Sequence, residues 1–199
     1  LYLYVRDFPR ARPLITKALE LSGERPESGV DKLHTNTLVP LLNMVALKIN
    51  DYEDKEASRL LELAKETINE DLSPKHISYA MALQLEARIK KKGTLKEKEE
   101  LLEESEKIFE ASVGSNHRYL ASVNYDYALI LMQSGKLNES QKKFEQSLDI
   151  LDNCLGKEHP EYSTVARSYA ELLKKLGREN EALEYIKSSD ANLKKAFAS

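Results

Sequence analysis

In four separate stretches a small residue, a large apolar residue and a second small residue follow one another at steps of four and three: Ala11, Ile15 and Ala18; Ala57, Leu61 and Ala64; Ser140, Phe144 and Ser147; Ala182, Ile186 and Ser189. Such steps fall on one face of an α-helix, and seven residues make about two turns. The two small residues therefore stack on the side where a neighbouring helix can come close. A fifth stretch keeps Leu102 and Ser105 but carries Lys98 at the first small position. Between these stretches apolar positions again recur at three- and four-residue steps, which predicts further amphipathic helices and no strand.

The helices repeat. His34, His76, His117 and His159 are 42, 41 and 42 residues apart, and Gly93, Gly135 and Gly177 keep a step of 42, as do Gly114 and Gly156, and Ala128 and Ala170. Each period reads as a first helix running from near the histidine to near a glycine, as in His117 to Ser134 and His159 to Leu176, followed by a second helix. The glycine supplies the left-handed residue on which a helix ends. This spacing predicts four full helical pairs, at about 33–72, 75–112, 117–154 and 159–198, after a partial repeat at 1–22 whose second helix is Asp7 to Leu21. Residues 23–32, with Gly23, Pro26, Ser28 and Gly29, read as a link. One pair cannot bury its apolar face alone, so successive pairs must stack. The expectation is an all-α, right-handed superhelical solenoid of antiparallel helix pairs, a single domain over 1–199. The first residues, Leu1-Tyr2-Leu3-Tyr4-Val5, read as the end of an apolar helix without an initiating Met, which suggests a fragment of a longer chain.

Charge and composition remove several classes of function. The chain carries 33 acidic and 30 basic residues, a net charge of −3, so it has no general attraction for nucleic acid or an anionic membrane. No apolar run approaches the ~20 residues that cross a bilayer. No signal peptide is read in these residues, and the one cysteine, Cys154, can form no internal disulfide, so the expectation is the cytoplasm. The four histidines invite a metal reading, but helix axes pack about 8–10 Å apart and metal–nitrogen bonds are about 2.0–2.1 Å. One ion cannot gather equivalent residues from successive repeats, so the histidines are read as helix-entry residues and no metal is expected. Cys154 has no nearby histidine in sequence, and Walker, dinucleotide, zinc-protease and nucleophile-elbow motifs are all missing. The expectation is a protein that is not an enzyme and uses no cofactor.

The repeats resemble the tetratricopeptide (TPR) family. The long period, with Leu155-Gly156-Lys157-Glu158-His159-Pro160 between units, resembles its kinesin light chain subclass. The signature is clearest from Gly156 through His159-Pro160, Ala170 and Gly177 to Glu181-Ala182, and the preceding unit shows it as Gly114, His117, Ala128, Gly135 and Glu139-Ser140. Before Gly93 it is degenerate, although Leu42-Asn43-Met44-Val45-Ala46 still matches the first-helix core.

The resemblance implies a protein-interaction scaffold in which first helices line a concave groove that binds a partner segment. Counted from the glycines, and from Ala46 in the earliest full repeat, the groove residues are Asn43, Leu83, Lys90, Lys91, Tyr125, Leu129, Met132, Arg167, Lys174 and Lys175. Tyr125, Leu129 and Met132 form an apolar stretch flanked by cations. It would suit a protein or peptide with acidic residues and apolar anchors. A plainer explanation exists for each part. Tyr125 and Met132 could pack against an adjacent repeat, and lysines at the end of a first helix complement the helix dipole by about 0.3–1 kcal/mol. Of the asparagines that kinesin light chains present along the groove, only Asn43 has a counterpart, and the Lys, Asn and Arg set that clamps a chaperone's terminal carboxylate is missing. Two rival functions share the same fold: a peptide-responsive regulatory sensor controlling another domain, and a self-association module.

Overall fold

The computed structural model describes residues 8–22, 35–89 and 94–197. Among them the secondary structure is entirely helical: α1 (Phe8–Leu21), a 3-10 turn (Thr35–Thr37), α2 (Leu38–Asn50), α3 (Asp54–Asp71), α4 (Ile77–Ile89), α5 (Leu95–Val113), α6 (Arg118–Gln133), α7 (Leu137–Leu155), α8 (Pro160–Lys175) and α9 (Glu179–Phe197). The helical pairs read from the histidine and glycine steps are α2/α3, α4/α5, α6/α7 and α8/α9. The residues from Leu1 to Val5, the link at 23–32, His34, Lys90, Lys91 and Gly93 lie outside the described residues.

The chain forms two compact units, 6–108 and 109–199. In the first, α1 packs on α2, α2 on α3 and α3 on α4, and the first helices α2 and α4 also touch. Its core includes Leu41, Leu42, Val45, Leu47, Leu61, Ala64, Ile68 and Leu102. In the second, α6 packs on α7, α7 on α8 and α8 on α9, and the first helices α6 and α8 touch. Its core is built around Phe144, Leu148, Leu151, Tyr169, Leu172 and Leu173.

The small residues sit where the pattern puts them. Ala57, Ala64, Ser105, Ser140, Ser147, Ala182 and Ser189 are all buried, and three of the serines add a specific bond. Ser105 Oγ donates to the Ala80 carbonyl (2.8 Å), Ser147 Oγ to the Ala121 carbonyl (2.8 Å) and Ser140 Oγ to the Ala128 carbonyl (2.7 Å). Each bond crosses from a second helix to the backbone of its first helix, which requires a side chain this short. Lys98, the exception at the first small position, is half-exposed.

The three described histidines are helix caps. His76, His117 and His159 each accept a bond through Nδ1 from the backbone N–H two residues on, at 3.2 Å in every case. Nδ1 can accept only while it carries no proton. Burial, then the nearby Arg118 charge, holds the His159 imidazole below its ordinary pKa of 6.5. The sign follows: the cap on α8 stabilises fully above the unfolded value of 6.5 and is lost as pH falls through the lower folded value.

The first turns of α6 and α8 are joined by an ion pair, Arg118 Nη2 to Glu161 Oε1 at 2.5 Å, with the Glu161 side chain 5% exposed. Burial pushes the Glu161 carboxyl up, and Arg118 pulls it back only in part.

The turns after the first helices α2, α6 and α8 share one geometry. Lys136 N–H donates to Leu131, Arg178 to Leu173 and Glu53 to Lys48, each five residues back, and the residue before each donor is Gly135 (φ 81°), Gly177 (φ 77°) and Tyr52 (φ 60°). This is the Schellman closure, whose penultimate residue must be left-handed. Tyr52 occupies the glycine position and is 82% exposed. A Cβ at Gly135 or Gly177 would meet nothing within 4 Å, so any penalty there is backbone strain alone.

Two predictions follow from these contacts. An L-residue in left-handed geometry costs about 1–2 kcal/mol, offset in part by the less flexible unfolded chain. Gly135→Ala and Gly177→Ala should each lose roughly 1 kcal/mol in urea unfolding, and Tyr52→Gly should gain up to about 1 kcal/mol. Arg118→Met leaves the Glu161 carboxylate buried without its cation and should cost about 2–4 kcal/mol at neutral pH. A raised folded pKa favours the protonated fold, so the Arg118→Met deficit should shrink as pH is lowered toward 4.5, the ordinary carboxyl value. A deficit independent of pH would separate the stabilisation from this carboxylate.

Candidate functional site

The surface that follows from the repeat reading is the face of the first helices expected to line the groove, and the second unit shows it best. On α6, Ser122, Tyr125, Leu129 and Met132 are half-buried and Gln133 is exposed. At the equivalent positions of α8, 42 residues on, Thr164 is half-buried while Arg167, Glu171, Lys174 and Lys175 are exposed. The α6 side is therefore apolar and the α8 side charged.

Tyr125 is held from two directions. Its hydroxyl lies 3.0 Å from Ser168 Oγ on α8, and its ring is tilted on Phe144 of α7 with centroids 6.1 Å apart. Phe144 in turn meets Tyr169 at 5.8 Å, and Tyr169 meets Tyr185 edge-on at 5.2 Å. One ring from each of α6, α7, α8 and α9 thus forms a continuous run at separations favourable for aromatic pairs. Tyr169 also donates through its hydroxyl to Glu145 Oε1 at 2.9 Å, and burial followed by that bond pushes its phenol well above the ordinary value. Burial raises Tyr162 as well, to about 12. These phenols stay protonated at neutral pH and act as packing and hydrogen-bonding groups. Leu129 and Met132 pack against the same core with part of their surface outward. The packing role considered for Tyr125 and Met132 is therefore present, and each keeps a partly open edge.

The cations differ from one another. Arg167 reaches Asp190 of α9 at 3.7 Å, with both side chains about half-exposed. Lys174 and Lys175 close the last turn of α8, are exposed, and take part in no ion pair among the described residues. Cys154 is half-buried, and burial pushes its thiol up, away from the reactive thiolate. Groups of three or more His, Cys, Asp or Glu side chains arranged to hold a metal ion are missing among the described residues.

In the first unit the register of two expected groove residues needs correction. Leu83 is 3% exposed and belongs to the core. His76 stands 29 residues before Ser105, whereas His117 and His159 stand 30 before Ser147 and Ser189. The shortening falls between the first and second helices, so counting back from Gly93 slips by one. The cap histidine and the Ser105–Ala80 bond put Gln84 at the place of Tyr125, Arg88 at that of Leu129, and Leu83 at that of the buried Asn124. Asn43 shifts for a similar reason. With Tyr52 in the glycine position, Val45 rather than Ala46 matches Ala128 and Ala170, and Asn43, half-buried, stands at the place of Ser168. The 41-residue step between His76 and His117 was the signal available in the sequence. Lys90 and Lys91 lie outside the described residues.

Comparison with known proteins agrees with this geometry. Residues 119–194 match the tetratricopeptide repeat family profile. No curated protein matches the sequence. Among solved structures, the nearly identical TPR-like repeats of a kinesin light chain candidate from Podosopora anserina superpose with a TM-score of 0.59 at 20% identity, over 98% of this chain and 92% of that one. A variant of the same protein gives 0.61 at 21% identity, with the same coverage. BtubC (BKLC) from P. vanneervenii gives 0.67 at 18% identity, over 96% of this chain and 74% of that one. At these identities the likeness concerns the fold. Among the described residues no helix is long and apolar enough to cross a membrane. Residues 119–194 are thus tetratricopeptide repeats, and the chain has the all-α fold of kinesin light chain-like TPR proteins.

Proposed function

We propose that this chain is a protein-interaction module, and that the α6/α8 face of its second unit holds an extended partner segment carrying acidic residues and apolar anchors. Tetratricopeptide repeats mediate protein–protein interactions, and the chain has that fold. The observation that carries the finer reading is a juxtaposition. Leu129 and Met132 offer apolar surface from α6, and Lys174 and Lys175 stand exposed on the neighbouring α8, at the positions 42 residues after Met132 and Gln133. Partly open apolar side chains in a packed setting are where an anchor gains most on desolvation. Unpaired surface lysines contribute mainly to encounter rate and partner choice, and their effect fades as salt shortens the reach of charge. Burial raises the Cys154 thiol and the Tyr169 phenol, which suits packing groups.

The probe is a fluorescein-labelled dodecapeptide of alternating glutamate and leucine, with a lysine–leucine dodecapeptide as its counterpart, read by fluorescence anisotropy on the full chain. The glutamate peptide should bind and the lysine peptide should not. Met132→Ala should weaken binding at every salt concentration, chiefly through faster dissociation. Lys174→Glu with Lys175→Glu should weaken it chiefly at low salt. Equal binding of the two peptides, no binding of the glutamate peptide, or binding that survives both sets of changes would overturn the reading.

A further inference from the structure

The two hairpins of the second unit differ at one matched pair of positions. In α6/α7 the pair is Tyr125 and Leu148, both packed in or against the apolar core. Forty-two residues on, in α8/α9, it is Arg167 and Asp190, an ion pair at 3.7 Å with side chains 55% and 48% exposed. Both members changed from apolar to charged, and their charges are opposite. The two side chains come from different helices, so the pairing is a product of how α8 and α9 pack.

Arg167 lies on the same face of α8 as Lys174, two helical turns away. It is the third cation an acidic segment would meet along that face, and Asp190 already occupies it. We infer that Asp190 is a built-in competitor at the binding face: its carboxylate takes the Arg167 guanidinium that a partner's carboxylate would otherwise use. This rests on the proposed α6/α8 face. Asp190 thereby lowers what Arg167 can add. A segment with one acidic residue gains only from the lysines. A segment with a second carboxylate in register with Arg167 must displace Asp190, and the exposure of the pair keeps that displacement cheap. The result is that a second carboxylate gains less than it would from a free Arg167, so Asp190 tempers affinity for multiply acidic partners.

The test uses the labelled glutamate–leucine dodecapeptide and four forms of the full chain: wild type, Asp190→Asn, Arg167→Gln and the double variant. Exposed pairs are weak, so Asp190→Asn should tighten binding only about two- to fivefold at low salt, with the gain fading toward 1 M. Arg167→Gln alone should weaken binding modestly, because the peptide gains from that side chain only after displacing Asp190. The double variant should bind like Arg167→Gln. That last comparison removes the effect of net charge, since a gain due merely to one lost negative charge would persist without Arg167. Asp190→Asn binding no tighter than wild type, or a gain that survives in the double variant, would overturn the competitor role. Loss of lysine dependence in the wild type is a distinct result and would overturn the face itself. Circular dichroism on each variant confirms that the helices are kept.

Discussion

Two helices can share a core only if their backbones come close enough for side chains from each to fill the gap between them. In this chain that approach is set at the positions occupied by Ala57, Ala64, Ser105, Ser140, Ser147, Ala182 and Ser189, where almost no side chain stands in the way. The three crossing serines show how close the backbones lie, since a hydroxyl on one helix bonds directly to a main-chain carbonyl of the next. Everything else in a hairpin is arranged around that contact. Phe144 and Leu61 follow the small residue by one turn and fill the space beside it. The rings of Tyr125, Tyr169 and Tyr185 then extend the packing of Phe144 from helix to helix. The face proposed for a partner is the outward side of the same arrangement, so its apolar floor is only as rigid as the contact beneath it.

The ends of the helices are governed by backbone chemistry. Each of the three described histidine caps satisfies a donor that the helix leaves unpaired at its start. The left-handed residue after α2, α6 and α8 lets the chain reverse within two residues. Gly156 goes further: its φ of 83° and ψ of 157° lie in a region open essentially to glycine alone. Tyr52 shows that an ordinary side chain can stand at a Schellman position when the surrounding bonds require it, at the cost of strain.

Much of this was legible in the sequence because the repeat multiplies weak signals. One histidine or one alanine means little, but the same residue at four related places fixes helix boundaries to within a few positions. The register of the face was harder to read. Near Leu83 it depended on a single missing residue between α4 and α5, and near Asn43 on a tyrosine standing where glycine was expected. The Arg118–Glu161 and Arg167–Asp190 pairs join residues 43 and 23 positions apart. They depend on how helices pack side by side, a relation that local periodicity does not encode. The split character of the face, apolar on α6 and charged on α8, was visible in outline, because equivalent positions could be compared directly.

The close approach of small residues is tested most directly at Ser140, by urea unfolding of Ser140→Ala and Ser140→Leu. Asn138→Leu on the exposed side of α7 serves as the reference for adding bulk to that helix. Removing the hydroxyl alone should cost about 1 kcal/mol, the worth of one hydrogen bond. Leucine must also force the α6 and α7 backbones apart, and should cost a further 1–3 kcal/mol or so. Asn138→Leu should change stability by less than about 0.5 kcal/mol. A Ser140→Leu protein as stable as Ser140→Ala would contradict the account, because the hairpin would then not depend on the absence of a side chain at that point.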